Sequence, residues 1–289
     1  MNRFLLPLLL LLLSCVVTPQ EKTLLIRCDD IGMSHSVNMA IDTLAKTGIP
    51  LSASVMFACP WYQEGVEILK KYPHIAVGIH LTLNSEWKEY RWGPVAGKSL
   101  VPSLVDKDGN FFPSRKLLFE NNPKIEEFEI ELRAQIERAL QSGIQISYMD
   151  FHMGAAVTTL ELRQLVEKLA AEYGFGLTRY FGEKDLKNVY SDAPDQKTGS
   201  LAAILSDGEL PEKGLLVCHI GVHNDELAAM TDLNAGGLKE MSKHRQAELD
   251  ALLSDEFHQT VKKQGIRLVN YRDVIEKEGL QSMRRNEEE

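Results

Sequence analysis

Short apolar runs that stop at an Asp or a His recur along this chain, and helical segments alternate with them. Thr23–Cys28 stops at Asp29-Asp30, Ile75–Ile79 at His80, Ile144–Met149 at Asp150 with His152 just beyond, and Leu215–Cys218 at His219. Leu51–Phe57, a weaker Leu177–Phe181 and Arg267–Val269 complete the predicted strands. Helices are predicted over 34–46, 60–72, 124–141, 159–173, 238–253 and 254–264, with a last one near Val274. The strongest carries Ile125, Phe128, Leu132, Ile136 and Leu140 at helical spacing. Residues 84–122 read as an irregular insertion and 183–213 as a loose segment. This alternation predicts a mostly parallel sheet with helical crossovers, which both an open doubly wound sheet and a closed barrel satisfy. No Gly-x-Gly-x-x-Gly follows the first strand and no Gly-x-x-x-x-Gly-Lys is present, so nucleotide-binding versions of the open fold lose support. There is no internal repeat and no second compact domain.

In parallel α/β folds the carboxyl ends of the strands share one face, where ligands bind. Four strands therefore deliver carboxylates and imidazoles to one rim. A carboxylate with two neutral imidazoles is a ligand set for Zn²⁺ or another divalent ion, with positions left for water. A second carboxylate beside it can serve as general base and a further His as general acid, the parts of a metal-assisted hydrolase acting on an amide or ester. Asp29 and Asp30 point to opposite faces if the strand runs through them, which favours two roles over a carboxylate dyad. Two other readings stay open. One is a glycoside hydrolase pairing Asp29 or Asp30 with Asp150 and needing no metal. The other is a non-catalytic carbohydrate-binding lipoprotein.

The N-terminus reads as an address. Arg3 precedes the apolar run Phe4–Leu13, which as a helix reaches only about half of a ~30 Å hydrocarbon core. It reads as a signal-peptide core rather than a membrane span. Leu12-Leu13-Ser14-Cys15 resembles the bacterial lipobox, with Cys15 as the lipidated residue. The expectation is an exported, membrane-anchored lipoprotein of the periplasm or cell surface, touching the membrane only through its lipid. Cys28, Cys59 and Cys218 then form no disulfide framework and lack zinc-site spacing, so they are expected in the core. With 41 acidic against 32 basic residues the net charge is −9. The most basic cluster, Arg284-Arg285, runs straight into Glu287-Glu288-Glu289, so no nucleic-acid partner is expected.

Leu25-Ile26-Arg27-Cys28-Asp29-Asp30-Ile31-Gly32-Met33-Ser34, with Asn38 following, resembles the opening motif of the YdjC-like carbohydrate deacetylases, the group that contains the chitooligosaccharide deacetylases. Gly78-Ile79-His80-Leu81-Thr82, Met149-Asp150-Phe151-His152-Met153-Gly154 and His219-Ile220-Gly221 are similar to its later motifs, as is Arg245 with Glu248. In this chain Phe151 and Tyr148 replace polar residues common around the third motif, and Ile220 replaces a Pro. The resemblance implies a single-domain TIM-like (β/α) barrel, regular or distorted, over 23–280, between the signal segment 1–14 and a charged tail 281–289. It implies removal of acetyl groups from N-acetylated sugars or oligosaccharides with one divalent ion, Mg²⁺ or Zn²⁺. Asp30, His80 and His152 are its expected ligands, Asp29 the base acting on metal-bound water, and His219 the acid. Asp150 is expected to orient a neighbouring imidazole, and Arg245 either to pair with an active-site carboxylate or to lie at the surface. Trp87 and Trp92, with Tyr90, Phe111 and Phe112, either stack on substrate at the rim or form a satellite core. His223 is expected in a loop, and His35, His74, His244 and His258 in structural or surface roles.

Overall fold

The computed structural model describes residues 22–208 and 210–285. The signal segment and Cys15 lie outside the described residues, as do positions 286–289 of the tail. Eight strands form one sheet: β1 (Thr23–Ile31), β2 (Leu51–Val55), β3 (Ile75–Leu81), β4 (Ile146–Phe151), β5 (Gly176–Leu177), β6 (Lys184–Asp185), β7 (Lys213–Cys218) and β8 (Arg267–Val269). Their order is β5-β4-β3-β2-β1-β7-β6, with β8 added along the first three residues of β1, and every pairing is parallel. The sheet curls strongly: the Arg27 guanidinium on β1 reaches Thr178, just beyond β5, at 2.8 Å although three strands lie between them in the order. Among the described residues no ladder joins β5 to β6, so the result is a distorted α/β barrel that is not closed by pairing.

Side chains alternate across each strand, so the barrel interior can be followed two residues at a time. On β1, Leu24, Ile26 and Cys28 belong to the large apolar core, whereas Leu25 joins a second cluster with Ala76, Tyr148, Leu215, Val269 and Tyr271. That second cluster is the apolar floor of the barrel. Above it lies a polar layer of Arg27, Ser54, Asp150 and Thr178, bonded to one another. Asp29 comes two residues after Arg27 on β1, His80 stands opposite Asp150 in the β3–β4 ladder, and His219 and His152 follow the ends of β7 and β4. Gly78 is required in the stack, because a Cβ there would lie 2.4 Å from the Tyr148 ring. Tyr148 donates to Ser54 Oγ at 2.7 Å, and its ring lies 4.4 Å from that of Tyr271.

Several expectations change. The strand near 177–181 shrinks to Gly176–Leu177, and the segment read as loose contains β6 and a helix, Lys197–Ser206. In the helix Ile125–Gln141, Leu140 is exposed and Ala139 takes its place on the apolar face. A second, polar stripe of that helix is buried too, which its apolar spacing did not disclose. Glu127 accepts from Ser103, Glu131 from the amides of Val95 and Ala96, and Gln135 bridges both backbone groups of Thr82. These bonds tie down the insertion, whose Trp87, Trp92 and Phe111 are buried in the main core. Cys28, Cys59 and Cys218 are buried free thiols.

Candidate active site

β1 begins the site with an irregularity. Asp30 has φ +66°, the left-handed region that Asp tolerates better than most residues, and the ladder to β2 shifts register between Cys28 and Ile31. Asp29 and Asp30 therefore line the same cavity, where uninterrupted alternation had placed them on opposite faces. The turn beyond is held by Asn38, whose Oδ1 accepts from the Gly32 amide at 2.8 Å and whose Nδ2 donates to Glu64 and the Trp61 carbonyl. Gly32 sits at φ +87° with Tyr62 Cα 2.7 Å from where a Cβ would stand, so glycine is required there. Ser34 caps the following helix, His35–Ala45, by accepting from the Val37 amide.

Three donor atoms converge above the polar layer. Asp30 Oδ1 lies 3.4 Å from His80 Nε2 and 3.2 Å from His152 Nδ1, and the two nitrogens are 3.3 Å apart. The far nitrogen of each imidazole is committed elsewhere: His80 Nδ1 to Asp150 at 2.9 Å, His152 Nε2 to Glu86 at 3.0 Å. Asp30 Oδ2 is held by Arg245 at 2.6 Å, whereas its Oδ1 is buried without a hydrogen-bond partner among the described residues. Burial of that orphaned oxygen between two imidazole nitrogens fits a cation bound by all three. Charge agrees: the buried carboxylates Asp29, Asp30, Asp150 and Glu86 face the guanidiniums of Arg27 and Arg245, an excess that one divalent ion offsets. Without an ion, protons fill that part. Burial disfavours the imidazolium, but Asp150 and Asp29 outweigh it and push His80 up to about 10. Glu86 and Asp30 likewise overcome burial and push His152 up to about 9.

Asp29 stands beside this centre. Both its oxygens accept from Arg27, at 2.7 and 2.8 Å, and Arg27 Nε also lies 2.9 Å from Asp150. Burial alone raises the Asp29 carboxyl, but the Arg27 charge and then His80 hold it below the usual range, so it is ionised. Asp30 is held well below its ordinary value, Arg245 overriding the effect of burial. The cavity between these groups measures about 220 Å³ and is also lined by His219, Trp87, Met153, Tyr190 and Asp232. His219 enters from the end of β7, with its backbone amide donating to Glu248 at 2.7 Å and its ring edge-on to Tyr190 at 5.2 Å.

Asp29, Asp30, His80, His152, His219, Trp87 and Arg245 are thus gathered at one cavity, and Asp150 lies directly beneath it. Arg245 is buried and paired with Asp30. Trp92 packs edge-on to His152 at 6.4 Å and donates to the Asn84 carbonyl. His223 bonds Ser242 away from the centre, and His35 pairs with Glu64. Sequence reasoning missed Arg27, Glu86, Tyr190 and Asp232. Arg27 had a local signal, a cation on the inward side of an apolar strand. The other three come from loops with no periodic pattern.

Fold and donor set together define a distorted parallel α/β barrel with a carboxylate–imidazole centre at the carboxyl ends of its strands. The family model for the YdjC-like proteins matches residues 23–263, and the chain belongs to that family. It is similar to a carbohydrate deacetylase of Enterococcus faecalis, 27% identical over 268 residues, covering 88% of this chain and 98% of that one. A carbohydrate deacetylase of Brevibacillus brevis is 34% identical over 150 residues, 52% of this chain and 56% of the other. Among solved structures, an Enterococcus faecalis protein described as a cellobiose-phosphate cleavage protein shares the fold, with TM-score 0.70, 23% identity and coverage of 88% and 99% of the two chains.

Proposed function

We propose that this protein hydrolyses the acetamide of N-acetylated sugars or oligosaccharides, releasing acetate and leaving a free amine. The observation that carries the proposal is the orphaned Asp30 oxygen facing two imidazole nitrogens, with Asp29 and His219 on the same cavity. The names of the deacetylase relatives support the substrate class. Asp30, His80 and His152 would hold one divalent ion, Mg²⁺ or Zn²⁺. When bound, such an ion supplies a Lewis acid that polarises a carbonyl and lowers the pKa of water.

The protein's own groups account for the protons. Asp29, kept ionised by Arg27, takes a proton from the attacking water on a carboxylate oxygen. Water oxygen bonds to the acetyl carbon, the carbon–nitrogen bond breaks, and His219 gives a proton to the departing nitrogen. Asp150 keeps the His80 proton on Nδ1, and Glu86 does the same for His152 Nε2, so both facing nitrogens present lone pairs. Trp87, Tyr190 and Met153 form the wall against which a sugar ring packs. Export and lipid attachment at Cys15 belong to the same proposal, which puts the reaction outside the cytoplasm.

Glycoside hydrolysis by paired carboxylates is the weaker reading. Asp150 is fully buried and spent on His80, Ser54 and Arg27, and Asp30 is tied to Arg245. Metal analysis combined with an acetate-release screen over N-acetylated mono- and oligosaccharides tests the proposal. One ion per chain and acetate release abolished by chelation are expected. Undiminished turnover after chelation, or in a His80→Ala/His152→Ala variant, overturns it.

A further inference from the structure

Behind the proton donor lies an ion pair that the chemistry above does not use. Lys197 and Glu248 are buried, with side chains 0% and 2% exposed, and their charged atoms are 3.1 Å apart. The Lys197 ammonium spends its other donors on the carbonyls of Val189 and Tyr190, the latter at 2.8 Å. Glu248 gives one oxygen to Lys197 and the other to the backbone amide of His219. One charge pair thus joins four pieces of chain: the segment carrying Tyr190, the helix Lys197–Ser206, the end of β7 and the helix Met241–Leu253.

The orientation of His219 makes this linkage informative. A catalytic imidazole is ordinarily aimed by a hydrogen bond on its second nitrogen. His219 Nδ1 is buried and makes no hydrogen bond among the described residues, so none of them holds the ring from that side. What remains is the backbone at 219, held by Glu248, and the edge contact with Tyr190, whose carbonyl is held by Lys197. A buried ion pair is seldom a gain in stability over apolar residues of similar volume, because desolvation offsets the attraction. We infer that Lys197 and Glu248 are positioning residues that aim the His219 ring at the leaving nitrogen. The inference rests on the deacetylase reading for its chemistry, though not for its geometry.

The test uses the full chain with Lys197→Met. A second variant, Lys197→Met/Glu248→Gln, removes both charges and avoids leaving a buried carboxylate unpaired. In histidine-labelled protein the His219 amide resonance should shift in both variants, upfield in the double variant whose acceptor has lost its charge, and its ring signals should broaden, while divalent-ion affinity is unchanged. Acetate release from an N-acetylated sugar should fall ~10²-fold in kcat with KM unchanged, the size of a lost general acid. An aryl acetate ester, whose phenolate leaves without a proton, should turn over as before. His219 resonances identical to wild type in both variants, or equal losses on amide and ester, overturn the inference. If wild type hydrolyses neither substrate, the deacetylase reading fails and the resonances alone decide the positioning role.

Discussion

Asp150→Asn tests the centre through a residue outside the proposed ligand set of Asp30, His80 and His152. Asp150 Oδ2 accepts from Ser54 Oγ at 2.8 Å and lies 2.9 Å from Arg27 Nε, whereas Oδ1 takes only His80 Nδ1, at 2.9 Å. An asparagine has one acceptor end and one donor end. Two donors face the Oδ2 side, so the amide carbonyl belongs there and the NH₂ group turns toward His80. Nδ1 must then accept, which moves the imidazole proton to Nε2, the nitrogen 3.4 Å from Asp30 Oδ1. The ligand atom is blocked without any change to the three ligands. Loss of such an outer partner weakens metal binding ~10–100-fold, and the full tautomer switch argues for the upper end. That is about 2.7 kcal/mol of binding free energy. Fold stability should fall less, by ~1–2 kcal/mol, because the substitution is isosteric and Arg27 keeps Asp29. Calorimetric titration of the metal-free variant with Zn²⁺ reads the affinity, and thermal unfolding reads the stability. Wild-type affinity in a folded Asp150→Asn protein would refute the assignment of Nε2 as the ligand atom.

Asp29→Asn should leave metal affinity near wild type and lower kcat ~10²–10⁴-fold; loss of the metal instead would show that the roles of the two aspartates are reversed. His80 and His152 in the metal-free protein titrate at about 10 and about 9, above the ~6.5 of an unfolded chain. Their protons therefore stabilise the fold fully below pH ~6.5, and that contribution is lost as pH rises through 9 and 10. Chelated protein should lose thermal stability between pH 7 and 10 while metal-loaded protein does not; parallel profiles would remove the charge argument for a cation site. Gly78→Ala places a methyl 2.4 Å from the Tyr148 ring and should lower stability by ~1–3 kcal/mol in denaturant unfolding, with an unchanged midpoint counting against the layered interior.

Legibility of this protein follows from how each residue is placed. Where a strand is regular, period-two alternation carries position: Leu25, Arg27 and Asp29 rise through one barrel interior, as Gly78 and His80 do on the next strand but one, and their order is written in the chain. The same rule misplaced Asp30, because its left-handed φ and the register shift beside it depend on the Gly32 turn and on Asn38, held in turn by Glu64 and Trp61. Glu86 and Tyr190 were illegible for a related reason. Each lies in irregular chain whose path is set by distant bonds: the Glu86 carbonyl accepts from Leu233, and that of Tyr190 from Lys197. The groups that the chemistry consumes stand at strand ends, where the pattern is local. Those that aim and neutralise them come from across the fold, and only the buried bonds they make reveal them. Arg27 bridges the two kinds. A guanidinium on the inward side of an apolar strand has to be met by carboxylates from elsewhere, so its presence in the chain already required the buried pairing with Asp29 and Asp150 on which the charge of the site depends.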